Sequence, residues 1–211
     1  MKKIFAVIAI MAMCMAVMGV ANANPGDKGG NKNKWTCTLD TPVVKQDNPK
    51  LQVIVPEGET CVISDSNIKT IRNAKGAKNV YVYNTTVANG IHLIGVTNDV
   101  VIGVKGCKFD PNVRNNIHVH KSHNVKICWM SANNIDVAQN DGIITVADSH
   151  ADHNIMVSNN YAFNNDGDDN TGHANNGAIR ILRNSAGNHI TARNNDGRDL
   201  IARKNTPKVR S

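Results

Sequence analysis

The chain is written in short apolar–polar alternations separated by polar corners. In Asn116-Ile-His-Val-His-Lys-Ser-His-Asn-Val-Lys-Ile-Cys-Trp129, the pairs Ile117/Val119 and Val125/Ile127 flank one such corner. The unit returns as Gly90-Ile-His-Leu…Asn98-Asp-Val-Val-Ile102 and as Gly142-Ile-Ile-Thr-Val…His153-Asn-Ile-Met-Val157. A further copy is Gly177-Ala-Ile-Arg-Ile…Asn188-His-Ile-Thr-Ala192. Alternation with period two predicts short strands with one buried face. Residues 51–55, 61–63, 67–71 and 79–83 read the same way. No segment joins helical spacing to a long run free of Asn and Gly, so the chain is expected to be all-β.

Aligning the second alternations at Val80, Val100, Val125, Ile155 and Ile190 gives spacings of 20, 25, 30 and 35 residues by subtraction. Hairpins would give the recurrent corner no role. A solenoid does: each repeat is one coil, and like positions stack into parallel sheets around a core of Ile and Val, about six coils in all. The growing spacing predicts that one turn lengthens on one side and builds a groove. The Asn ahead of each second strand suits a left-handed corner, and its amide can bond the next coil.

The ends read differently. Lys2 and Lys3, an apolar run from Ile4 to Val20 and the small residues around Ala23 predict a secretory signal over 1–24, with a membrane anchor as the alternative. Met13 before Cys14 disfavours a lipoprotein site. Residues 25–34 are expected to be a flexible leader, and 35–211 one domain with a basic C-terminal tail. The formal charge is +7, and +5 once Lys2 and Lys3 are removed. Much of that excess lies in Lys28, Lys32 and Lys34 in front and Arg198, Arg203, Lys204, Lys208 and Arg210 behind, either solvated tails or contacts for an anionic polymer.

Cys37, Cys61, Cys107 and Cys128 remain after the signal, an even number that favours disulfides in an exported chain. Cys107 and Cys128 fall late in successive second alternations, so stacking would bring them within bonding reach, leaving Cys37 for Cys61. No Cys-x-x-Cys is present to hold zinc.

The pattern Gly-Ile-x-Leu…Ser…Asn-x-Ile resembles the repeat of the right-handed parallel β-helix proteins of the pectate-lyase-like superfamily. It stands best at 116–127 with Ser122, at 142–157 with Ser149 and at 177–192 with Ser185. Val55-Pro-Glu-Gly-Glu-Thr-Cys61 resembles the opening coil of many small exported members. The resemblance covers roughly 51–203 and implies a single-stranded right-handed parallel β-helix. It does not select an activity, because the superfamily spans lyases, hydrolases, epimerases and proteins without a known reaction.

Four candidate sites follow. Asp166, Asp168 and Asp169 offer hard oxygen ligands for calcium, although Thr171 and Gly177 break the helix-loop-helix calcium pattern. His92, His118, His120 and Thr145 are expected on outward positions, forming with Arg180 a binding stripe. Polysaccharide lyases of the superfamily that the chain resembles use an Arg or Lys as base. If there is catalysis, Arg180 would take that role, crowded by Arg183 with Asp148 or Asp166 nearby. No stretch matches a specific lyase motif closely enough to carry a catalytic residue across. Asp141, Asp148 and the acids of 166–169 are a glycosidase alternative. The spacings of His118, His120 and His123, or of His150 and His153, suit a transition metal. The resulting expectation is a secreted, periplasmic or cell-surface protein that binds an acidic polysaccharide rather than nucleic acid. A calcium-dependent polysaccharide lyase and a purely structural module are the alternatives.

Overall fold

The computed structural model describes residues 33–39, 42–103, 112–160, 178–195, 199–207 and 209. Sixteen strands run through them, every paired ladder is parallel, and no helix occurs among the described residues. The chain is a parallel β-solenoid of about seven turns, one more than the repeats predict. Each coil crosses three faces, and long strands bend around the corners to serve several. Thr60–Asn73, for example, contributes to all three.

The register follows the inward residues. On the first face Val53, Ile71, Ile91, Ile117, Ile135, Ile155 and Ile190 lie one above the next. On the second, Ile63, Val82, Ile102, Ile127, Val146 and Ile181 do the same. The narrower third face stacks Ile68, Val87, Val113, Ala132, Ala151 and Ala186. These residues converge on one continuous core, with Ala186 packed at its margin. β-branched side chains suit the sheet because their restricted rotamers fit a pleated, crowded surface. Small alanines replace them where the third face shortens.

Two expectations change here. Ile135-Asp-Val137 is a full rung of the first face that the four-copy repeat omits. Val80, Val100 and Val125 therefore stack on the second face with Ile144 and Ile179, whereas Ile155 and Ile190 belong to the first. Successive spacings on the second face are 20, 25, 19 and 35 residues by subtraction, so the turns do not lengthen steadily. The extra residues fall in two segments at different corners, 104–111 after the second face and 161–177 after the first, both outside the described residues. Alternation alone cannot say which face a strand serves, so the two series merged.

The corners carry the second surprise. Lys121, Gln139, Asn159 and Asn194 turn the chain from the first face to the second at φ 52, 58, 52 and 49°. Asp65, Asn84, Trp129, Asp148, Arg183 and Lys204 turn it from the second to the third at φ 42–58°. Of the asparagines expected at corners, only Asn124 has positive φ. At nine of these ten corners the next residue is Ser, Thr or Asn. Where it is Asn, its side chain turns inward and ties coils together. Ser122 N donates to Asn140 Oδ1 at 2.9 Å, Asn140 N to Asn160 Oδ1 at 3.0 Å, and Asn160 N to Asn195 Oδ1 at 3.1 Å. In return Asn140, Asn160 and Asn195 Nδ2 donate to the carbonyls of Val119, Val137 and Val157. Asn184 and Asn205 repeat the device at the other corner.

The N-terminal strand begins at Lys34, paired with Gln52, one residue before the expected boundary. At the other end Arg203 closes the strand Asp199–Arg203, and Lys204 is a corner rather than part of a free tail. Cys37 and Cys61 form the expected disulfide. Cys128 is buried and makes no disulfide among the described residues, and Cys107 lies outside them. The signal region is outside them too.

Ile135→Ala should lower unfolding free energy by about 2–5 kcal/mol, because its site is sealed by rungs above and below. The same change at Ile94, which is 52 % exposed, should cost far less in the same denaturant titration. Asn160→Ala strips partners from Asn140 N and the Val137 carbonyl and should cost at least about 2 kcal/mol. Asn188→Ala, at an exposed position, should stay within about 0.5 kcal/mol of the parent.

Candidate functional site

Outward residues of the first face form three columns, one residue per rung. The central column runs Arg72, His92, His118, Asp136, Met156 and Thr191. Beside it stand Asn116, Asn134, Asn154 and His189, and on its other side Ile94, His120, Ala138, Ser158 and Arg193. Asn134 Nδ2 donates to Asn116 Oδ1 at 2.9 Å and Asn154 Nδ2 to Asn134 Oδ1 at 3.2 Å, a half-buried counterpart of the buried asparagine ladders. A groove of about 460 Å³ crosses these rungs, with Asn116 and His118 at one end and His189, Thr191 and Arg193 at the other.

Asp136 is the focus of the site. Its Oδ2 lies 2.9 Å from His120 Nε2 and 3.4 Å from His118 Nδ1, and the side chain is 15 % exposed. Burial by itself would raise the carboxyl's pKa. The hydrogen bonds and charge of His120, then His118, outweigh it and hold the group below its ordinary value. Asp136 Oδ1 is buried and no protein donor reaches it. The His118 ring stacks on His92, centroids 5.0 Å apart. Burial, followed by His118 and Arg72, pushes the His92 pKa down against a backbone hydrogen bond at Asn89.

The expected stripe is split. His92, His118 and His120 come together on the first face, but Thr145 and Arg180 pair with each other on the second. Arg180 stands exposed between Thr145 and Ile201. Arg183 sits at a corner in a two-point ion pair with Asp148 through both carboxylate oxygens. That hydrogen bonding and charge raise its pKa, and its charge is matched by Asp148 instead of being left to crowd Arg180. Asp141 holds His123 Nδ1 at 2.7 Å, so His123 does not join the other two histidines. Asp141 opens the strand Asp141–Ala147 and Asp148 is the corner just past its end. The straight run from Ile144 to Asp148 alone spans roughly 13 Å, beyond the ~5–9.5 Å of a glycosidase pair. His150 meets Ser185 and Asp152. Asp166, Asp168 and Asp169 lie outside the described residues.

Sequence reading missed Asp136, His189, Thr191 and Arg193. The signal for Asp136 was present: Ile135-Asp-Val137 repeats Ile117-His-Val119 at a distance of 18 residues by subtraction. A second polar groove, lined by Asp47, Asp65, Asn67, Asn84 and Arg114, lies on the third face, where its amides already bind its carboxylates.

No family model, curated protein or solved structure matches the chain. The chemistry of the site is therefore read from its own residues.

Gly90 holds the rung that carries His92 against the rung that carries His118. Its φ is +103°, and a Cβ there would stand 2.5 Å from the Asn116 carbonyl oxygen. Gly90→Ala should therefore cost more than about 1 kcal/mol in thermal or chemical unfolding. It should also disturb the His92–His118 stack, seen as altered imidazole shifts in NMR spectra.

Proposed function

We propose that the chain binds a stretch of acidic polysaccharide along the outer surface of the first face. The observation that carries this reading is the groove itself, which spans successive rungs from Asn116 and His118 to His189 and Arg193. Rungs about 4.8 Å apart repeat their polar groups at a spacing close to the length of one sugar ring. Amides, imidazoles and a hydroxyl in such a row suit the hydroxyl-rich edge of a polymer. The Arg193 guanidinium is a natural partner for a uronate carboxylate, because its planar fork matches two oxygens. The positive net charge, +5 once Lys2 and Lys3 are removed from the +7 of the full sequence, favours the encounter. The groove lining contains no Trp, Tyr or Phe for sugar stacking, so affinity would come from many weak contacts along the polymer.

The Cys37–Cys61 disulfide and the export pattern of residues 1–24 support an extracytoplasmic site of action. The repeat pattern supports membership of the pectate-lyase-like superfamily as a further part of the proposal. Binding is preferred to elimination because Arg180, the expected base, stands exposed on the second face and does not line the groove.

The test is retention on immobilised polygalacturonate, alginate and heparin at low ionic strength. We expect retention on at least one polymer, weakened by salt. Arg193→Ala should reduce affinity about tenfold, the scale of one charge-assisted hydrogen bond, while Lys50→Ala, also an exposed cation, should have little effect. Failure to bind any of the three, or equal losses in the two variants, would overturn the reading.

A further inference from the structure

We propose that His118, His120 and Asp136 form a binding site for a divalent first-row transition ion, zinc being the one their donor set fits best. Strand alternation puts His118 and His120 on the same outer face, two residues apart. Parallel register then places Asp136 directly beside His118 on the next rung. The three donor atoms all lie within 4.8 Å of one another, with Asp136 Oδ2 at 3.4 Å from His118 Nδ1 and 2.9 Å from His120 Nε2. Ligands bound at about 2.0–2.2 Å in tetrahedral geometry stand about 3.3–3.6 Å from each other. Small rotations of the two imidazoles are enough to admit an ion.

The donor chemistry selects the class of metal. Two ring nitrogens and one carboxylate oxygen are ligands of zinc and its neighbours, whereas calcium and magnesium require a shell of oxygens. Charge points the same way. Asp136 is an ionised, mostly buried carboxylate whose Oδ1 has no protein donor. Such a charge is costly unless compensated, and a dication compensates it more fully than two hydrogen bonds do. The site is also partly ordered in advance: His118 is braced by its stack on His92. A plain His–Asp pair needs one imidazole, and here two converge on one oxygen.

Three protein ligands leave a coordination position for water or an incoming group, the arrangement of open rather than purely structural zinc sites. His118 and Asp136 both line the groove, so that position faces whatever the groove holds. The site does not depend on the polysaccharide reading, and either can fail without the other.

The experiment uses the full chain without a polyhistidine tag, stripped with chelator and titrated calorimetrically with zinc and, separately, calcium. We expect one zinc per chain, no comparable response to calcium, and weaker binding as pH falls because the imidazoles must be unprotonated. His120→Ala and Asp136→Asn should each weaken binding by at least about tenfold, the lower bound for losing even a ligand's supporting partner. His150→Ala, which removes a histidine paired elsewhere, should leave it unchanged. Circular dichroism checks that the variants fold. Should they not, paramagnetically shifted ring N–H resonances in the NMR spectrum of the cobalt-loaded parent report imidazole ligation directly. Absence of stoichiometric zinc binding, equal affinity in parent and folded ligand variants, or a cobalt spectrum without imidazole ligation would overturn the proposal.

Discussion

The structure depends on in-register parallel pairing between coils roughly twenty residues apart. One β-branched residue per rung, such as Ile117 on Ile135 on Ile155, fixes that register from inside. A slip by one residue would turn each of these side chains to solvent and bring histidine, aspartate and methionine into the core. The apolar column therefore sets more than stability. It decides which polar residues become neighbours on the outside, and everything chemical on the first face is a by-product of that choice.

The fold class was legible because alternation and recurrence are local signals. The alternate Ile and Val of the copied units, such as Ile117, Val119, Val125 and Ile127, do face inward, and Cys37 does meet Cys61. The phase of the coils was less legible. Asp136 sits in an alternation as regular as any other, with Asn134-Ile-Asp-Val137 matching Asn116-Ile-His-Val119. But the alternation from Gly142 that continues its coil on the second face passes for the opening of a new copy. The corners escaped for another reason. Left-handed φ is expected of Gly and Asn, yet Lys121, Gln139, Trp129, Asp148 and Arg183 adopt it. Each conformation costs about 1–2 kcal/mol. Buried hydrogen bonds from the residue that follows offset this at corners such as Gln139-Asn140 and Arg183-Asn184. The informative position is thus the one after the corner, which sequence habit does not inspect.

The outer site shows the same dependence from the functional side. His118 and Asp136 are 18 residues apart by subtraction in the chain and hydrogen-bonded in space. Thr145 and Arg180, which alternation alone would align with the histidines, stand on another sheet. Residue type told which groups can do chemistry. Only the winding told which of them meet.

The asparagine ladders have a further consequence. Asn140, Asn160 and Asn195 link each coil to the adjacent one and to no other. Cohesion in such an object is a nearest-neighbour quantity, so unfolding behaves as a one-dimensional chain of coupled units rather than as a single all-or-none event. The two longest intervals between rungs, the 26 residues from Ile91 to Ile117 and the 35 from Ile155 to Ile190 by subtraction, close the largest loops and carry the largest entropic cost. The His118–Asp136 pair falls between them, on rungs joined by only 18 residues by subtraction.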